Sequence, residues 1–569
     1  MQIAANAPPH MVSAIISLAD RLIKTKATEP NSRRFRYCPE QILFSGHTQL
    51  FVILKPTKVP FCLLPQTFPE LVRSLPVFDL QHIVQQFLYD PKNPLLFNNG
   101  FFVYFFALFI ALFYAFRNRF LVRSWVVSVF SLYFFYKASG AFVGLVLLSA
   151  VFDYTLSNLI YRQNRAGVKK VLLAASVLFN LGLLFYFKYT NFFITFCNDF
   201  FAAKINPLNI LLPVGISFYT FENLSYTIDV YRGEFVPERK FINYLLFLSF
   251  FPKLVMGPIV RARDFIPQLH EPYVVTDNDF AKGFYLILSG LFKKLVISDF
   301  LTLNLVNYVF DNPSMHTGLE CLIAVPAYAI VIYCDFSGYS DVAIGIAKWL
   351  GITIPANFKS PYQSKSITEF WRRWHISLSS WLRDYLYIFW LGGNRKGKFL
   401  TYFNLVVTML LGGFWHGASV TFIIWGAIHG VGLVVHKLWM QAASPLVAHT
   451  QNNLIYNGFS QLLTFVFVCF AWIFFKSADY TTAVAMLRQI AFNFRPEVWP
   501  EFWGNYHSAV WMLLLGYALH AFPDTLPDRL VPKLAKAPLM AYLAVFLVFL
   551  VVYAQFKSAT PVMPIYLQF

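Results

Sequence analysis

Charge is what this 569-residue chain has least of: Asp, Glu, Lys and Arg together make up 13% of it, against 57% apolar residues. A soluble protein carries about 25% charged side chains, so a water-covered body of this size would lack the polar groups to clothe itself. Cysteine is sparse and scattered. Cys38, Cys62, Cys197, Cys321, Cys334 and Cys469 form no C-x-x-C pair and support neither a disulfide framework nor a thiolate metal site. A G-x-x-x-x-G-K-[ST] loop is missing as well, which leaves no basis for nucleotide hydrolysis by the chain itself. The start, MQIAANAPPH, has no basic segment leading into an apolar one and does not resemble a secretion signal.

What is present comes in blocks. Apolar runs cover 101–116, 122–136, 141–160, 171–187, 207–226, 241–256, 281–301, 319–334, 400–414, 420–436, 458–475, 507–522 and 537–555. A span takes about 20 residues, fewer where neighbouring helices shield it. The fold class expected is therefore all-α, a polytopic integral membrane protein with roughly 10–13 spans, of which 207–226 has the character of a re-entrant segment.

The formal charge is +18, from 46 basic and 28 acidic residues. The basic residues lie in short patches between apolar runs, the pattern of membrane topology rather than of nucleic-acid binding. Arg117, Arg119 and Arg123 occupy one loop, Arg162, Arg165, Lys169 and Lys170 another two runs later, and the loop between them holds only Lys137. The two basic loops are expected on the cytoplasmic side and the segment before the first span outside. Residues 1–93 differ from the rest, with ten basic residues, six acidic ones and no spanning run. They read as an N-terminal extension ahead of a membrane domain at 94–569. Since no methionine lies between Met11 and Met256, a start near Leu95 or Leu96 at an alternative codon and a genuine extension account for them equally well.

Ionisable groups inside apolar segments are costly and are functional candidates by default. Three clusters qualify. The first runs from Leu212-Pro213-Val214-Gly215 through Glu222-Asn223 to Asp229 and Arg232; it reads either as irregular backbone lining a protein cavity or as a kinked packing helix. The second joins Asp335-Phe336-Ser337-Gly338-Tyr339-Ser340-Asp341, Asn357-Phe358 and the stretch Ser366 to Ser379. There Ser366 and Glu369 have capping-box spacing, and Arg372 and Arg373 among Trp371, Trp374 and Trp381 suit an interfacial helix. On spacing alone His375 is either part of a surface anchor or a site residue. The third is Gly412-Gly413-Phe414-Trp415-His416-Gly417, where imidazole is poised to exchange a proton near neutral pH and glycine on both sides permits close approach. His429 follows at Trp425-Gly426-Ala427-Ile428-His429. Without H-x-x-x-H spacing, a metal shared by His375, His416 and His429 is not expected.

In this order the clusters resemble the membrane-bound O-acyltransferase family, in particular its bacterial branch with the alginate O-acetylase membrane component and the teichoic-acid D-alanine transferase. The resemblance runs from about Leu95 to Phe569 and rests on LPVGISFYTFENLSYTIDVYRG (212–233), FPKLVMGPIVRARDFIPQL (251–269), DFSGYSDVAIGIAKWLGI (335–352), FWRRWHISLSSWLRDYLYI (370–388), GGNRKG (392–397) and GGFWHGAS (412–419). It implies a ring of tilted helices around a tunnel in the bacterial cytoplasmic (inner) membrane, in contact with lipid. It also implies a catalytic role for His416 as general base and for His375 as the second active-site position, where it would polarise the thioester carbonyl or orient the donor. Arg372, Arg373, Trp374 and Trp415 would bind the donor, acetyl-CoA, with the arginines on its phosphates, and no cofactor stays bound. The family's usual Gln-Ala is Glu222-Asn223 here, a change expected to alter tunnel polarity. The ending Pro564-Ile565-Tyr566-Leu567-Gln568-Phe569 also resembles the family's, with Tyr566 either an acyl relay or an interfacial anchor.

The expected activity is O-acetylation of an extracytoplasmic polysaccharide, alginate-like or peptidoglycan, together with a separate esterase-like acetyltransferase partner outside the membrane. The alternatives are D-alanyl transfer from a carrier-protein thioester to teichoic acid, and a small-solute transporter. Transport would favour internal repeats, which are not evident, and gives no reason for His416.

Overall fold

The computed structural model describes residues 85–91, 93–97, 99–395, 397–443, 453–557 and 562–567. The extension expected over 1–93 therefore lies almost wholly outside the described residues. Every regular element among those described is helical. The principal helices are α1 (Gly100–Phe116), α2 (Phe120–Ser139), α3 (Val143–Arg162), α4 (Ala166–Leu184), α5 (Ile216–Arg232), α6 (Phe241–Ser249), α7 (Asp277–Phe292), α8 (Gly318–Trp349), α9 (Lys398–His416), α10 (Val420–Ala442), α11 (Leu454–Lys476), α12 (Trp499–His520) and α13 (Leu539–Phe556).

Among the described residues, seven helical stretches are long and apolar enough to cross a membrane: 120–162, 166–201, 318–349, 398–416, 420–442, 454–476 and 539–556. The first holds both α2 and α3, hinged at Gly140, whose φ of 62° is readily adopted only by glycine. The other apolar runs form shorter or more polar helices. The run at 207–226, expected to have the character of a re-entrant segment, is helical over only part of its length. Residues 202–213 carry no helix, and the helix that follows, α5, starts at Ile216 and runs on to Arg232. Leu212-Pro213 with a left-handed Gly215 delays helix formation by half the apolar run.

Local sequence sets several helix starts. Thr276 and Asp279 form a reciprocal capping box on α7, Thr317 and Glu320 one on α8, and Asn99 caps α1. Small residues then set how closely helices approach. Gly283 and Gly290 of α7 face Gly345 and Gly338 of α8 so closely that a Cβ at any of them would meet the opposing backbone, the packing device of helices that lack a hydrophobic drive toward one another in lipid.

The ends of the body can be told apart by contact. Tyr154 reaches Arg239 O, Lys240 lies over Phe120, His270 pairs with Glu238, Arg123 donates to Leu269 O, and Gln268 meets Thr353. One end thus gathers residues around 120, 154, 238–240, 268–270 and 353, with the two basic loops beside it. At the other, Asn307 meets Lys476 and Gly318 N donates to Asn493 O.

Many polar side chains between the ends are partnered. Asp153, fully buried, accepts from Ser176 and Asn180, and Asn180 meets Asn223, which accepts from Tyr244. Glu222 takes the buried Lys253 ammonium and, on its other oxygen, the Val260 amide. Glu222-Asn223 is thus absorbed into helix packing, and neither residue reaches the cavity described below. Removing one member of a buried pair leaves an uncompensated charge, at a cost of about 3–5 kcal/mol. Lys253→Met should lower the thermal midpoint of the detergent-solubilised protein sharply, and Lys253→Met with Glu222→Leu should recover most of it.

Candidate active site

His416 is the last residue of α9. Two features place it. Gly413 sits against Phe422 O and Gly426 of α10, and Gly426 sits against Met409 O of α9, so a Cβ at either would collide with the facing backbone. The open carbonyls at the end of α9 are then capped from another helix: Tyr189 Oη donates to Phe414 O at 3.0 Å, and Lys188 Nζ to Trp415 O at 2.7 Å and His416 O at 2.8 Å. Cations favour this end of a helix. Lys188 and Tyr189 belong to a wide turn over Phe185–Tyr189 that interrupts the helical stretch 166–201, and such turns often mark functional positions.

His375 lies between two short helices, with φ 42° and ψ 55°. A non-glycine residue in this region is strained and persists only where its surroundings hold it. Here the hold is Asn357, whose Oδ1 accepts from Ser377 N at 3.2 Å, Ser377 Oγ at 2.9 Å and His375 Nδ1 at 3.1 Å, while its Nδ2 donates to Ser340 Oγ. The Ser377 amide can only donate, so it fixes which atom of Asn357 is oxygen, and His375 must carry its proton on Nδ1. In the neutral ring Nε2 then holds a lone pair, and it is buried without a partner. A lone pair suits accepting a proton from a neighbouring group and does not suit polarising a thioester carbonyl, one of the two roles expected for it.

The third ring arrives from the far end of the sequence. Residues 562–567 return into the body, and Ile565–Leu567 form one tight turn. Ile565 N donates to Asp335 Oδ2 at 2.9 Å, while Asp335 is also paired with Lys294 at 2.5 Å, which holds Asp299 at 2.8 Å. Phe336, next to Asp335, packs on Tyr566 at 4.4 Å and on His375 at 4.6 Å between ring centroids. The Tyr566 ring is 5.5 Å from His416 and 6.1 Å from His375, and the two histidines are 6.4 Å apart. A cavity of about 70 Å³ opens beside His416 and Tyr566, lined also by Trp415, Lys188 and residues 212–218, and His375 stands behind its wall rather than in it. A larger one of about 510 Å³ borders the tail at Val562, Met563 and Ile565 and extends to Asn307 and Lys476.

Comparison with known proteins gives this geometry its context. The family model of the membrane-bound O-acyltransferases matches residues 133–477. The chain belongs to that family. Among curated relatives of this O-acyltransferase, the peptidoglycan O-acetyltransferase of Helicobacter pylori is 34% identical over 426 residues, 69% of this chain and 79% of the relative. The probable alginate O-acetylase of Pseudomonas aeruginosa is 42% identical over 344 residues, 59% of this chain and 63% of the relative. The teichoic acid D-alanyltransferase of Bacillus subtilis is 26% identical over 381 residues, 61% of this chain and 92% of the relative. The chain thus spans somewhat under two thirds of that alginate relative. Membership in the family makes it a multi-pass membrane acyltransferase.

Of the residues singled out in the sequence of this O-acyltransferase, His416, His375, Tyr566 and Trp415 come together. Trp415 stacks on Phe221 at 5.2 Å and walls the cavity. Trp374 does not join them, which corrects its expected place among the donor ligands: it is 1% exposed and packed on Phe370, Phe358 and Trp472. Arg373 is committed to Glu369 and Asp524, while Arg372 is exposed. His429 sits among Trp371, Trp425 and Phe467, and the Trp425 ring contacts both it and His416. Among the described residues no group of three His, Cys, Asp or Glu could hold a metal. Lys188 and the role of Asn357 went unread. A lysine inside Leu181–Phe193, an otherwise uncharged run, was the available signal. Asn357→Ala should free the His375 ring and lower turnover by about tenfold or more while KM for the acyl donor changes little, measured by steady-state kinetics on protein with a parental thermal midpoint.

Proposed function

We propose that this O-acyltransferase takes an acetyl group from cytoplasmic acetyl-CoA and passes it through the bacterial inner membrane to a hydroxyl of an extracytoplasmic polysaccharide, alginate-like or peptidoglycan. The observation that carries the reading is the meeting of two histidines and one tyrosine, of which His416 and Tyr566 line a small cavity within a membrane body. Acyl transfer to oxygen needs a base for the hydroxyl proton, and a general base near neutral pH contributes about 10²–10⁴ in rate.

Two transfers suffice. In the first, Tyr566 Oη attacks the thioester carbonyl, His416 takes the phenol proton, the C–S bond breaks, and the proton passes to the leaving sulfur to give free CoA. In the second, an acceptor hydroxyl attacks the tyrosyl ester, its proton goes by way of His416 to Tyr566 Oη, and the tyrosine is restored. His375, its Nδ1 proton held by Asn357, keeps a lone pair on Nε2 and positions the exchanging proton. The donor enters at the basic end, and Arg372, an exposed cation, meets the CoA phosphates. The acceptor hydroxyl is presented by the polymer or by an esterase-like acetyltransferase partner outside. The acetyltransferase names of the relatives at 34% and 42% identity support acetyl as the acyl group.

The test uses purified protein and acetyl-labelled CoA. His416→Ala should cut CoA release by about 100-fold or more. Tyr566→Phe should abolish base-labile label on the protein while preserving its thermal midpoint. Parental CoA release from His416→Ala would remove the base, and parental label on Tyr566→Phe would remove the relay.

A further inference from the structure

The cavity shared by His416 and Tyr566 has a polar wall that the acyl-transfer chemistry does not use. Lys188 lines it, and no Asp or Glu does. Two of the three Lys188 protons go to the carbonyls of Trp415 and His416, and among the described residues the third has no acceptor. Two of its surroundings attract a cation: the negative end of α9 and the face of Trp415, whose ring centre lies 5.9 Å from Nζ. With little water between, the charge is felt across the cavity far more than at a surface.

Size is the second property. About 70 Å³ holds only a few water-sized groups, the scale of a two- or three-carbon acyl group. Size alone does not separate the acyl groups named for the relatives, because acetyl and D-alanyl are both small. Charge does. An alanyl ester carries an α-ammonium beside its carbonyl, and acetyl carries nothing.

We propose that Lys188 makes this acyl cavity selective, admitting neutral short acyl groups and rejecting aminoacyl groups that bring a second positive charge beside the first. The proposal rests on the reading that the acyl group passes between His416 and Tyr566, and it adds to that reading the feature that fixes which acyl group passes. Lys188 acts here by charge on the bound acyl group, separately from its cap on α9.

The experiment compares two CoA thioesters of matched size, propionyl and glycyl, which have the same number of heavy atoms and differ by an ammonium in place of a methyl. Rates of CoA release, corrected for spontaneous hydrolysis, are measured on the purified parent protein about one pH unit below the α-amino range of roughly 7.7–8.0. Propionyl should be used at least about tenfold faster than glycyl. Lys188→Arg should keep that gap, and Lys188→Met should close it to within about threefold. Tyr189→Phe, which removes only the neighbouring cap on Phe414 O, should slow both donors and leave their ratio alone, so the ratio separates charge from displacement of the helix end. Equal use of the two donors by the parent protein, or a gap that Lys188→Met leaves untouched, would overturn the proposal while acyl transfer itself stands. Failure of the parent protein to release CoA from acetyl, propionyl and glycyl donors alike would instead sink the acyl-transfer reading.

Discussion

Lipid offers no hydrogen bonds, and most of what is distinctive in this molecule answers to that constraint. A polar group carried between the faces of a bilayer must find its partner in the protein or give up several kcal/mol. The chain brings many such groups inside and settles them in separate networks: Asp153 with Ser176, Asn180 and Thr227, Glu222 with Lys253, and Lys294 between Asp299 and Asp335. At the active site His375 Nε2 and His416 Nδ1 are buried and left without a partner, as are other buried groups, both ring nitrogens of His429 among them.

The same constraint explains how one imidazole is held to position. A helix ending inside the membrane leaves carbonyls that water cannot reach. α9 ends that way, and the carbonyls of its last three residues are taken by Lys188 and Tyr189 from a part of the chain more than two hundred residues earlier. The glycine contact with α10 sets the depth of the helix, and the cap sets its end. Catalytic geometry and backbone satisfaction are therefore served by the same atoms, and a change at Lys188 acts on both.

Much of this was legible beforehand, for definable reasons. Composition and apolar blocks carry the fold class because a bilayer imposes a length and a solvent on every span. The glycine-framed His416 and the polar stretches at 335–341 and 370–379 stood out because ionisable groups in apolar surroundings are rare. What stayed hidden depends on distances across the chain. Trp374 looks like a surface tryptophan beside two arginines, and only the fold shows Trp472 and Tyr362 closing over it. The run at 207–226 is apolar enough for a span, but Pro213 and the left-handed Gly215 put the helix start at Ile216. Glu222-Asn223 suggests a polar tunnel lining until Lys253 and Tyr244 are seen to claim both side chains.

The tail contact carries a consequence of its own. Asp335 grips the chain just before Tyr566 by a main-chain amide rather than by a side chain. Recognition of that kind is blind to the identity of residue 565 so long as its nitrogen bears a hydrogen. Swaps at that position keep the donor, with one exclusion: a proline there has no amide hydrogen, so Asp335 Oδ2 would lose this partner while Oδ1 kept Lys294.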